Sequence, residues 1–171
     1  MPSIIHPPVY PGARFAAGAI SGCIGGIAMA LFAMIRSSHA GLGFWLPMQQ
    51  IAATFYGVEA LLGGPVSTFI GSVAHLIVAS LIGALSASIL VRARGAAAIW
   101  LGLSVGVIAW FVMTFLVLPW ADQAMRERIT LIAGWWFADH LVFGAMLFLT
   151  PFLDRAIESP ATPHPARPGH A

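Results

Sequence analysis

Four long apolar segments divide the 171-residue chain, and they constrain its fold more than any other feature. They cover about 15–35, 69–91, 97–118 and 129–153. A helix of about 20 residues crosses the hydrocarbon core of a bilayer, and each segment is long enough to do so. Only 8% of the residues are charged, whereas a soluble domain carries about 25%, so a water-facing surface cannot be built. The sequence therefore predicts an all-α polytopic membrane protein, a four-transmembrane-helix bundle.

Both ends of the chain are rich in proline. Four prolines fall within residues 1–14 and four within residues 154–171. Proline has no backbone N–H, and these stretches have little apolar surface to bury, so both are predicted to be disordered tails around a single membrane domain over 15–153. The first apolar segment is longer than the 7–15 residues or so that are typical of a signal-peptide core, so we expect it to be retained as a helix.

The distribution of arginine predicts an orientation. All eight basic residues are arginines; with four spans, five lie on the side of the termini and three on the other side. Cytoplasmic segments carry the excess of basic residues. Both termini are therefore predicted to be cytoplasmic, in a bacterial-type inner (plasma) membrane.

The connection between the first two segments is long and apolar, and it predicts an extra helix over about 47–62. Pro47 suits the first turn of a helix. Four apolar residues then recur at offsets of four, three and four, namely Ile51, Phe55, Val58 and Leu62. One apolar face of this kind predicts an amphipathic helix lying in the membrane interface, or a partly re-entrant one.

Small residues recur at helical spacing in the first three segments, and Gly144 follows His140 by four residues in the fourth; this pattern predicts close helix packing. Such stripes allow the backbones of neighbouring helices to approach within lipid, either inside one bundle or between two copies. The predicted packing residues are Gly18, Gly22, Gly26, Gly71, Ala79, Gly83, Gly102, Gly106 and Gly144.

Three ionisable residues lie inside the apolar segments and are the candidate functional site: His75, Asp139 and His140. Charged groups within a membrane are costly, so they usually face the bundle interior and find partners. The two histidines belong to helices of the same direction at similar depth, which predicts one buried polar cluster. Asp139 is expected to pair with His75, or else with Arg126 or Arg128.

This cluster has two interpretations. Each histidine either forms hydrogen bonds between helices, or the two imidazoles ligate a b-type haem or a metal ion. A proton or small-solute pathway would use the same three residues. The single cysteine, Cys23, provides no disulfide or cysteine-based metal site.

A weak internal repeat relates the two halves of the chain. The residues around His75 resemble those around His140, and Gly26–Met34 aligns with Gly106–Thr114. Two tandem helix pairs would form a parallel repeat.

The spacing over about 15–153 resembles a family of small four-helix bacterial inner-membrane proteins of unknown function, some associated with acid resistance. The resemblance rests on a Gly/Ala-rich first helix, His75 followed by Ser80 and Gly83, Gly106-x-x-x-Trp110-x-x-Met113 with Pro119 ending that helix, and His140-x-x-x-Gly144. Asp139 departs from the pattern, in which an apolar residue precedes the last histidine. The resemblance implies a fold and a location but no reaction.

The expected function is that of a non-catalytic helix-packing protein or an accessory subunit of a membrane complex, and the expected partners are a second copy of the chain or that larger complex. No nucleophile elbow or phosphate-binding glycine loop occurs in the sequence. The formal charge of +2 does not indicate nucleic acid as a partner.

Overall fold

The structure is a computed structural model that describes residues 11–158, and this part of the chain is helical and contains no strand. Three short non-α turns interrupt or extend the helices: 3₁₀ turns at Gly57–Leu62 and Leu147–Leu149, and a π turn at Met113–Val117. The α-helices are α1 (Pro11–His39), α2 (Leu46–Tyr56), α3 (Pro65–Leu90), α4 (Ala96–Val112), α5 (Leu118–Ala121), α6 (Gln123–Thr130), α7 (Ala133–Met146) and α8 (Thr150–Glu158).

Four stretches are long and apolar enough to cross a membrane, which confirms the predicted all-α four-helix class. We name them span 1 (Gly12–His39), span 2 (Pro65–Leu90), span 3 (Ala96–Ala121) and span 4 (Ala133–Glu158). Span 3 joins α4, the π turn and α5, and span 4 joins α7, a 3₁₀ turn and α8.

The spans extend further than the apolar runs, so the predicted tail boundaries were wrong. Residues 11–14 belong to α1 and residues 154–158 to α8. Proline is tolerated in the first turn of a helix, where its missing N–H has no partner to lose, so Pro11 can begin α1. In the last turn, Arg155 Nε donates to the Pro151 carbonyl at 2.8 Å. The remainder of both predicted tails, 1–10 and 159–171, lies outside the described residues.

Span 3 continues past Pro119, although this proline was expected to end it. Proline removes one helical hydrogen bond and collides with the carbonyl four residues earlier. The π turn over Met113–Val117 precedes Pro119 and widens the helix where that carbonyl lies. The chain then resumes α-helical geometry over Leu118–Ala121. A local π turn is a known way to absorb such a defect.

The spans pack in the order 2–1–4–3. Span 1 makes its main contacts with span 2 on one side and span 4 on the other, and span 3 packs on span 4. Spans 2 and 3 make few contacts with each other, although only a short turn connects them. Span 1 and span 4 therefore form the centre of the molecule.

Spans 1 and 2 meet along a seam of small residues. A Cβ added to Gly18 would collide with the Gly83 carbonyl, and one added to Gly22 would collide with the Ala79 carbonyl. At Gly26 an added Cβ would lie 2.7 Å from the Ala79 Cβ. Side chains larger than hydrogen at these glycines would force the two backbones apart.

Spans 3 and 4 form an equivalent seam. A Cβ on Gly102 would collide with the Gly144 carbonyl, and one on Gly106 with the His140 carbonyl. The remaining small residue, Gly71, lies against the carbonyl of Met48 in α2, and its lack of a side chain allows α2 to pack closely against span 2. All nine predicted small residues therefore lie at helix contacts within one chain.

Helix α2 closes one end of the bundle, which we call the α2 end. It packs against span 2 and ends where Gly57 adopts φ 72°, so the predicted 47–62 helix is α-helical only to Tyr56 and continues as a 3₁₀ turn. Thr54 Oγ1 donates to Asp122 Oδ2 at 2.9 Å, and Asp122 Oδ1 accepts from the Met125 N–H at 2.8 Å at the start of α6. Helix α2 is thereby tied to the connection between spans 3 and 4.

Candidate functional site

The candidate site lies in the half of the bundle nearer the α2 end, where spans 1, 2 and 4 meet. It contains the three ionisable residues predicted from the sequence and one that was not predicted, Arg36. Asp139 and His140 are buried in span 4, at 2% and 4% exposure, while His75 on span 2 is half-buried. Each has a partner that belongs to the chain itself, and these partners determine what the site can do.

Asp139 forms an ion pair with Arg36, so the expected pairing with His75 is wrong, as are the alternatives Arg126 and Arg128. Arg36 Nη2 lies 3.1 Å from Asp139 Oδ2, and the exposed fractions of the two side chains are 20% and 3%. The guanidinium also lies 5.7 Å from the centroid of the Trp135 ring. Asp139 Oδ1 and Arg36 Nε are buried without a hydrogen-bond partner among the described residues.

Helix geometry explains why Arg36 is the partner. Side chains of a helix point towards its N-terminus, and Arg36 lies in the last turn of α1, so its long stem extends back along span 1 into the bundle. An arginine at the end of an apolar segment is a sequence signal for a side chain that extends along its own helix. Here the Arg36 side chain extends into the bundle towards Asp139. In the orientation argument Arg36 counted only as one of the three arginines on the side away from the termini, so its contact with Asp139 was not predicted.

His75 joins span 2 to the backbone of span 1. Its Nε2 lies 2.9 Å from the Gly26 carbonyl oxygen. This contact is possible because Gly26 has no side chain: an added Cβ would lie 3.6 Å from the same nitrogen and 2.7 Å from the Ala79 Cβ. The hydrogen bond between helices that was one interpretation of His75 is therefore present, and its acceptor is a main-chain carbonyl.

His140 is oriented by its own helix and by an aromatic neighbour. Its Nδ1 lies 2.8 Å from the Trp136 carbonyl one turn earlier, and the two rings meet edge to face at a centroid distance of 4.4 Å. Trp136 Nε1 in turn donates to Thr114 Oγ1 at 2.9 Å, within the π turn of span 3. The ring of His140 is thus held by an indole that is itself anchored to the neighbouring span.

The two histidines lie on spans 2 and 4, which both pack against span 1. Gly26 contacts the His75 ring, and a Cβ on the preceding Gly25 would lie 2.9 Å from the Phe143 carbonyl of span 4. His140 is three residues from Phe143, about 4.5 Å along a helix axis. Asp139 is directed instead towards Arg36, about 100° around the helix from His140.

No group of three or more His, Cys, Asp and Glu side chains suitable for a metal ion occurs among residues 11–158. Two open grooves lie beside α2, with volumes of about 330 and 300 Å³. The first is lined by residues near Glu59 and Pro65, the second by residues near Phe55 and Val73, and neither is lined by a histidine. The site is thus a set of buried polar pairs, separate from these two grooves.

Comparisons of the chain with protein-family models, with curated proteins and with solved structures found no match.

Proposed function

We propose that the chain is a non-catalytic integral membrane protein that packs against itself or against a larger membrane complex as an accessory subunit. One observation carries the proposal: the small-residue seams and the intramembrane polar pairs are contacts between spans of the same chain. What remains for a partner is the outward surface of the four spans, which carries many large apolar side chains. These include Phe69 and Leu85 of span 2 and Trp100, Ile108 and Phe111 of span 3.

The internal polar pairs support a structural role for the buried groups. Arg36 neutralises Asp139, His75 bonds to span 1, and Ser21 Oγ lies 2.6 Å from Thr150 Oγ1 between spans 1 and 4. Unpartnered polar groups within a membrane are costly, so each pair favours this one arrangement of the spans.

Native mass spectrometry of the full chain released from mild detergent tests the association. We expect a dimer, a higher oligomer, or a defined complex with another membrane protein. As a second measurement, Leu85→Cys and Ile108→Cys, each with Cys23→Ala, should form disulfides between copies or with the partner. The matched control is Leu90→Cys, at a residue that is 0% exposed. A strictly monomeric protein that shows measurable turnover would contradict the proposal.

The proposal places the chain in the inner membrane with both termini cytoplasmic, on the basis of the arginine asymmetry and the family resemblance. Ser38 is an exposed residue in the last turn of α1, next to the connection that leads to α2. In a Cys23→Ala background, Ser38→Cys should react with a membrane-impermeant maleimide added outside intact spheroplasts, whereas Ser3→Cys should react only after permeabilisation. The opposite pattern would reverse the orientation.

A further inference from the structure

We propose that the two grooves beside α2 form one binding site for an amphiphilic cation, a single alkyl chain that ends in a quaternary ammonium group. The ammonium group lies beside Glu59 at the start of span 2, and the alkyl chain follows span 2 towards its middle. The inference goes beyond the packing role, and neither depends on the other.

The two grooves adjoin each other. They share two lining residues, Tyr56 at the end of α2 and Ile70 of span 2. The first groove, of about 330 Å³, lies at the start of span 2, where Glu59 and Pro65 line it. The second, of about 300 Å³, continues along span 2 as far as Ile77. A long, narrow ligand can therefore occupy both, with one end at the membrane boundary and the other within the bilayer.

The second groove follows one face of span 2 and is apolar. Phe55 and Tyr56 of α2 line it together with five residues of span 2, which recur at offsets of one, three, one and three. These five are Phe69, Ile70, Val73, Ala74 and Ile77. Such offsets keep residues on one face of a helix, and the axis rises about 12 Å over this stretch. Apart from the Tyr56 hydroxyl, these side chains carry no polar atom, so the groove suits an alkyl chain.

The first groove carries the charge. Among the described residues that line either groove, Glu59 is the only one with a formal charge. Its carboxylate makes no hydrogen bond or ion pair with the rest of residues 11–158. An anionic headgroup would be repelled here, and the phosphate of a zwitterionic lipid would find no basic side chain in the lining. Charge complementarity therefore favours a ligand with a single positive charge.

The position of Tyr56 favours a quaternary ammonium group. Tyr56 lines both grooves, so its ring lies where the headgroup joins the alkyl chain. Aromatic rings attract cations, and quaternary ammonium ligands are commonly recognised in this way. A quaternary ammonium group has no N–H and needs no hydrogen-bond acceptor. The Ser67 hydroxyl, which also lines the first groove, already donates to the Gly64 carbonyl at 3.2 Å.

Photolabelling of the full chain in phosphatidylcholine nanodiscs tests the proposal. The probe is dodecyltrimethylammonium with a diazirine near the free end of its alkyl chain, and peptide mass spectrometry locates the labelled residues. We expect saturable labelling confined to residues 69–77 and the end of α2. Unlabelled dodecyltrimethylammonium should compete with the probe, whereas dodecyl sulfate, with the same chain and the opposite charge, should compete far less.

Glu59→Gln should weaken binding of the probe about threefold, which is what an exposed ion pair contributes. The matched control is Glu127→Gln, which removes the charge of an exposed acid on α6 that lines neither groove. It should bind the probe as the unaltered chain does. Labelling spread over all four spans would show a bulk-lipid partition only and would overturn the site. Equal competition by dodecyl sulfate, or equal effects of Glu59→Gln and Glu127→Gln, would overturn the selection of a cation by Glu59.

Discussion

Arg36 and Asp139 show what a single pair of residues decides in this molecule. The sequence identified Asp139 as the acid that needs a partner, because its cost within an apolar helix is evident from composition. It did not identify the partner, since the distance that separates two residues on different helices depends on how those helices pack. To identify Arg36 as the partner, one must know how far its side chain extends along span 1 towards Asp139, and the sequence does not give this distance.

The first prediction concerns this pair. Arg36→Gln should lower the free energy of unfolding by about 2.5–3.5 kcal/mol, the cost of an unpaired charge within a membrane helix. Asp139→Asn should also destabilise, and the double variant should lose less than the sum of the two. Unfolding in mixed micelles, followed by circular dichroism, gives all three values.

A second prediction concerns His75 and uses the same assay. His75→Ala removes one hydrogen bond to Gly26, worth about 0.6 kcal/mol on average within a membrane. Because His75 does not contact the carboxylate, His75→Ala and Asp139→Asn should add within about 0.5 kcal/mol. A large coupling energy between the two changes would indicate that His75 does pair directly with Asp139, in contradiction to the Arg36–Asp139 pair.

At the scale of elements, the glycine seams relate the two halves of the chain. Gly22 opposes Ala79 in the first seam, as Gly102 opposes Gly144 in the second. The alignment of His75 with His140 superposes Ala79 on Gly144, so the repeat seen in the sequence corresponds to equivalent helix contacts. Repeated spacing of small residues was readable from sequence because it depends on helix period alone.

The third prediction is that the seam tolerates no added methyl group. Gly22→Ala should cost about 1–3 kcal/mol, since the Ala79 carbonyl cannot move away without opening the seam. Gly134→Ala is the matched control, because nothing lies within 4 Å of a Cβ there. The control should be neutral or slightly stabilising, as helical alanine is favoured over glycine. Equal effects of the two changes in thermal denaturation would contradict a close-packed seam.

A fourth prediction concerns helix α2. Asp122→Ala removes the cap of α6 and the acceptor of Thr54, and capping alone is worth about 1 kcal/mol. Thr54→Val removes only the second bond. Hydrogen exchange should therefore quicken in α2 for both variants, and in α6 for Asp122→Ala alone. Exchange in spans 1 and 4 should be unchanged in either variant.

For the whole molecule, the number of spans followed from the sequence and their order did not. Apolar runs reveal how many helices cross, because length and hydropathy are local properties. Which helix meets which depends on pairs such as Ser21 and Thr150, 129 residues apart. In the sequence, Ser21 and Thr150 are ordinary small polar residues, and only the packing of spans 1 and 4 shows that their hydroxyl groups are partners. Likewise, the π turn at Met113–Val117 arises from Pro119 within a packed span and not from a local signal of its own.

The last prediction tests the order 2–1–4–3 directly. In a Cys23→Ala background, Ser21→Cys with Thr150→Cys should form an intramolecular disulfide with a membrane-permeant oxidant, because the two hydroxyl oxygens are 2.6 Å apart. The matched control, Val78→Cys with Ile108→Cys, joins spans 2 and 3 at equal distances from their short connection, where both residues are exposed. It should form no disulfide within one chain, which intact mass of the isolated monomer reports. The reverse result would mean that spans 2 and 3 close the bundle, and that span 1 does not lie between spans 2 and 4.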